Sequence, residues 1–143
     1  MKTPAYDRRQ GYRAALGMEP AWALPGGRGQ GVQVADVEGE WNEGHEDLPG
    51  DRYTHVAGRR MGNAAWRAHG TAVVGVVAAR DNGVGMLGLV PEVDHIYTAS
   101  LGGIGAARAF FEAAKRLNAG DVLIVELHGP GPNYKGRGQQ GFV

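Results

Sequence analysis

The sequence predicts an α/β fold, a parallel β-sheet flanked by helices. Two observations predict it. Strand-like segments at residues 31–37, 95–101 and 121–127 alternate with helical segments at 69–79 and 104–117. Alternation of that kind builds parallel sheets, because each crossover helix returns the chain to the same end. The 25 glycines fall largely in the connections, where tight turns need them.

Each element has a local reason. Residues 1–25 mix aromatic and charged side chains, and Pro20 and Pro25 confine any helix there to a short turn within 14–24. Gly31 opens a first strand in which Val32, Val34 and Ala35 read as buried on both faces. An acidic, turn-rich stretch follows at 38–51, and 52–68 reads as irregular. From His69 the residues Ala72, Val73, Val74, Val76, Val77, Ala78 and Ala79 are apolar nearly all round, which predicts a helix buried on most sides. Asp81-Asn82-Gly83 makes a loop. The second strand, 95–101, is rich in β-formers, and Gly102-Gly103 ends it. Ile104, Ala107, Phe111, Ala114 and Leu117 recur at helical spacing before the stop residues Asn118 and Gly120. A third strand, 121–127, leads into sixteen residues with five glycines and two prolines, an open loop.

Composition narrows the function. Fifteen basic and fifteen acidic side chains cancel, so nothing points to nucleic acid or to a charged membrane surface. The chain has no Cys, which removes disulfides, thiolate metal sites and a Cys nucleophile. Residues 1–10 carry no apolar signal core, and the longest apolar run, 71–79, is too short to span a bilayer; the compartment stays open.

In parallel α/β sheets, ligands gather beyond the C-terminal ends of the strands. Asp36 and Glu126 fall near two such ends. Asp36 by itself also fits a strand-end turn residue, and His69 the start of a helix. Taken together, Val34-Ala35-Asp36-Val37, His45-Glu46-Asp47-Leu48-Pro49 and His69-Gly70-Thr71 resemble segments of the subtilisin family. The loop 81–91, the strand and helix across 97–117, and the segment 121–130 extend the resemblance to about residues 27–132.

The resemblance implies a subtilisin-like but incomplete sheet: an N-terminal extension at 1–25, the N-terminal half of a peptidase domain at 26–132, and a loop or truncated end at 133–143. It implies serine-type endopeptidase chemistry. A Ser hydroxyl needs a base to become nucleophilic, and a carboxylate orients that base. Asp36 and His69 are the expected carboxylate and base, their polar atoms about 3 Å apart. Glu126, Leu127, His128 and Gly129 stand where the family binds substrate backbone, and a Glu at that rim favours basic or polar substrate side chains.

The one serine, Ser100, lies at a strand end, outside any Gly-Thr-Ser sequence. The nucleophile and the oxyanion Asn are therefore expected from a C-terminal half absent here, and the chain alone is expected to be inactive. The partners implied are a peptide or protein substrate and that missing half. The other reading is a non-catalytic binding module, or one piece of a split protease.

No cofactor is required. A structural calcium at Asp47 and Asn82 is an expectation carried over from the family. Zinc at His45, Asp47, His55 and His69 fits no common ligand spacing. The glycine run at 27–31 precedes a strand rather than following one, so it is not a dinucleotide loop.

Overall fold

The computed structural model describes residues 3–127. Short helices α1 (Gly11–Ala15) and α2 (Met18–Trp22) precede β1 (Gln33–Glu38), β2 (Tyr53–Ala57), α3 (Ala64–Ala78), β3 (His95–Ser100), α4 (Gly105–Ala114) and β4 (Val122–Ile124). The four strands form one sheet in the order β2-β3-β1-β4, and every pairing is parallel. The predicted α/β class is the observed one. His128 and Gly129 lie outside the described residues, as does the end segment at 133–143.

Period-two alternation along β1 sorts its side chains between two layers. Ala35 and Val37 face α4 and pack with Ala99, Ala109 and Ala113. Val34 faces the other way and packs with Ile96, Val93, Trp41, Leu48, Val74 and Ala78 beneath α3. Asp36 and Glu38 share the α3 face with Val34, and both are fully buried. In register, Asp36 lies beside Thr98 and Glu38 beside Ser100.

Three elements differ from the sequence reading. Residues 53–57 form β2, an edge strand in the stretch expected to be irregular. The helix expected from His69 begins at Ala64, because the Asn63 side chain caps it, accepting from Ala65 N at 2.8 Å and Trp66 N at 3.2 Å. That helix is also less buried than its composition suggests. Only Gly70, Val74 and Ala78 are buried, while Ala68, Ala72 and Val76 face outward. They line an open groove of about 500 Å³ with Asn42, His45 and Met86.

The N-terminal residues are tied to the loop after α3. Tyr6 N bonds Gly85 O at 2.6 Å, and Gln10 bonds the backbone of Leu87 through both amide atoms at 2.8 Å. Trp22 Nε1 reaches Leu89 O at 2.8 Å, its ring flanked by Arg13 and Arg28. Among the described residues, no helix is long and apolar enough to cross a membrane.

Candidate active site

The site lies where β1 ends and α3 crosses it. Two glycines allow the approach. A Cβ on Gly39 would sit 2.6 Å from the Trp66 ring, and one on Gly70 would sit 2.4 Å from Glu40 O. With hydrogens at both positions, the first half of α3 presses onto residues 38–41. Polar contacts fix it there. Arg67 pairs with Glu40 at 2.7 Å, and the other Glu40 oxygen accepts from Asn63 N at 3.0 Å. The Arg67 hydrogen bond is the main reason the Glu40 carboxyl titrates below its ordinary range. Thr71 Oγ1 accepts from Asn42 N at 2.8 Å and donates to Arg67 O at 2.5 Å. In His69-Gly70-Thr71, then, the Gly makes room and the Thr holds the strand-exit loop, which places the His at the strand end.

His69 meets Glu38 there, not Asp36. Its Nδ1 lies 3.1 Å from Glu38 Oε1, with the imidazole 46% exposed and the carboxylate fully buried. The N–H is not aimed squarely at that oxygen, so neither Glu38 oxygen has an aligned donor. Asp36 accepts instead from Trp41 Nε1 at 2.7 Å through Oδ2, and its Oδ1 has no donor. The expected direct Asp36–His69 contact is therefore not formed. The reason is geometric. Both acids project from one face of β1, but Glu38 lies two residues, about 6.6 Å, nearer the C-terminal edge. It also has one more methylene with which to reach the helix.

Burial dominates the electrostatics. Desolvation lifts the Asp36 carboxyl to about 7, against the Trp41 hydrogen bond that favours its anion; Glu38 and Glu126 push it up further. Burial also raises Glu38, and the His69 charge and contact oppose that rise.

Glu126 and Leu127 border an open cleft of about 630 Å³ with Asn63, Ala65, Trp66 and His69. Of the four residues expected at the substrate rim, these two adjoin His69. Ser100 is buried and committed to the fold. Its Oγ lies 2.7 Å from Gly39 O and 2.9 Å from Arg59 O, and accepts from Gly102 N at 3.1 Å. His55 is likewise structural, spanning Thr98 Oγ1 at 3.1 Å and Gly58 O at 2.8 Å.

At the expected calcium position, Asp47 Oδ2 accepts from Met86 N at 2.9 Å, while Oδ1 is buried without a donor. Asn82 does not turn toward it. Its amide bonds Glu46 O at 3.0 Å and accepts from Val84 N at 3.0 Å. The loop is closed by its own hydrogen bonds, and of these two side chains only Asp47 Oδ1 is left open to a cation.

The sequence reading passed over Glu38. One signal was present: residues 36 and 38 must share a strand face, and the later one is closer to the edge where ligands gather.

Comparison with known proteins agrees with the fold. The structure superposes on the crystal structure of Apa1, a psychrophilic subtilisin-like protease from the Antarctic psychrotroph Pseudoalteromonas sp. AS-11, with a TM-score of 0.61 and 21% identity. The match covers 78% of this chain and 28% of that one, so the chain spans little more than a quarter of its length. No family model and no curated protein matches the sequence. The chain shares the protease's fold over the matched portion.

Proposed function

We propose that this chain supplies the carboxylate and the base of a subtilisin-type serine endopeptidase site, with Glu38 in the carboxylate role. The observation that carries the reading is the Glu38–His69 pair at the C-terminal edge of a parallel sheet, 3.1 Å apart and beside an open cleft. A carboxylate facing Nδ1 favours the tautomer with its proton there and leaves Nε2 free to take a proton from a hydroxyl. The protonated imidazole then returns that proton to the leaving amine, and the buried Glu38 stabilises the charged ring. Glu126 and Leu127 flank the cleft as substrate contacts. Asp36 lies behind the pair, in a supporting role.

The nucleophile and the oxyanion donor come from a Ser-bearing half that completes the sheet. Among the described residues strand β4 is an edge, and Val122, Leu123 and Val125 are exposed along and just beyond it. The outward stripe of α3 offers a second, separate apolar surface. Covering both removes apolar area from water and pairs the open strand edge.

A fluorophosphonate probe tests this. The isolated chain is expected to stay unlabelled. Completed by a half carrying Gly-Thr-Ser, it is expected to label, and His69→Ala and Glu38→Ala each abolish the labelling. Stoichiometric labelling of the isolated chain at Ser100 overturns the reading. Labelling that survives Glu38→Ala but not Asp36→Asn returns the carboxylate role to Asp36.

A further inference from the structure

We propose that Glu38, His69 and Glu126 form a binding site for a divalent transition-metal ion of the zinc class, present in this chain without any second half. One ligand atom from each side chain lies within 4.8 Å of the other two. The three come from different elements: the end of β1, the exposed side of α3, and the segment after β4. Two carboxylate oxygens and one imidazole nitrogen make the mixed oxygen–nitrogen donor set that zinc and its neighbours accept, whereas calcium and magnesium favour oxygen alone.

Glu38 is the second, independent observation. It is completely buried and aimed into the cluster, and His69 and the Gly39 N–H approach its oxygens without forming a well-aligned hydrogen bond. A buried carboxylate left so is costly unless a cation answers it. His69 is half exposed and answers it off-axis. Among the described residues, Glu38 and Glu126 form no ion pair with Lys or Arg, since Arg67 is taken by Glu40 and Arg60 by Glu43.

The spacing fits. Tetrahedral zinc with arms of about 2.1 Å holds its ligand atoms about 3.4 Å apart. The His69–Glu38 separation, 3.1 Å, is already near that value. Three protein ligands leave a fourth position, which faces the open cleft and takes water. The site shares Glu38 and His69 with the proposed peptidase pair but does not depend on a nucleophile. An ion held there competes for the imidazole, so metal-bound and proton-accepting states exclude each other.

The test is calorimetric titration of the folded 143-residue chain with ZnCl₂, followed by the visible absorption of Co²⁺ in its place. One equivalent of zinc is expected to bind, and Co²⁺ to give the intense bands of four-coordination. Excess Ca²⁺ or Mg²⁺ is expected not to displace the ion. Glu126→Gln and His69→Ala are each expected to weaken binding about 10-fold or more, with circular dichroism unchanged. His45→Ala, a histidine outside the cluster, is expected to leave it unaltered. Absence of binding to the folded chain overturns the proposal, as does binding that both Glu126→Gln and His69→Ala leave unchanged. Neither outcome touches the fluorophosphonate result, so the two readings fail separately.

Discussion

The two faces of the sheet are drawn from the same strands and finished in opposite ways. On the α4 side, Ala35, Val37 and Ala99 meet Ala109 and Ala113 in a buried apolar layer. On the α3 side, β1 and β3 place Asp36, Glu38, Thr98 and Ser100 under a helix, all fully buried. Buried acids without good partners lower stability, and they persist where the arrangement has a use. Both faces contribute apolar core, but only the α3 face also buries acids, at the end of β1.

The sharpest way to break the comparison is at Glu38. In the two-piece peptidase proposed above, Glu38→Gln keeps the shape and removes the charge, and kcat is expected to fall by about 10⁴-fold, the loss serine-protease triads show without their carboxylate. Steady-state hydrolysis of a peptide substrate measures it. An equal loss from Asp36→Asn with Glu38→Gln nearly silent would exchange the two roles.

Stability against pH sharpens it next. Asp36 titrates near 7 in the folded chain and near 3.9 when unfolded, so the folded state binds more protons between those values. Its contribution is fully present below about pH 4 and is lost as pH rises toward 7 and beyond. Glu38, raised as well, acts in the same direction. Unfolding free energy from urea titrations is expected to fall between pH 5 and 7, with Asp36 supplying up to about 1.4 kcal/mol per pH unit. Asp36→Asn should flatten that slope, and an unchanged slope would remove Asp36 as its source. The depressed acids Glu112 and Asp121 act at lower pH and in the opposite sense.

A paired substitution compares the faces through packing. Val37→Ala, on the α4 side, is expected to cost about 2 kcal/mol through lost burial and a residual cavity. Val76→Ser, on the open side of α3, should change stability by no more than about 0.5 kcal/mol in the isolated chain. Equal costs in urea unfolding would mean that α3 is already covered.

The smallest effect concerns the Asp47 loop. Saturating calcium at 100 times its dissociation constant would add about 2.7 kcal/mol. Because Met86 N and Val84 N already close the loop, thermal melts in millimolar calcium and in chelator are expected to differ by much less. A shift of the full size would identify Asp47 as a calcium ligand.

The amino-acid sequence by itself determined the parallel class, three strands within 31–37, 95–101 and 121–127, a helix through 69–79 whose start at Ala64 it missed, a second helix within 104–117, and His69 as a candidate at the sheet edge. Those follow from period, propensity and order, which are properties of neighbours along the chain. It left β2 obscure, because Tyr53–Ala57 is a short edge strand whose Thr54 and His55 read as loop. The burial of α3 was overstated for a related reason: an apolar helix records what it can cover, and only the assembled layers show what does cover it. The choice between Asp36 and Glu38 belonged to the tertiary structure alone. Strand alternation puts both acids on one face. Which of them meets His69 depends on how closely α3 can approach, and that is set by Gly39 against Trp66 and Gly70 against Glu40, contacts between residues about 30 positions apart.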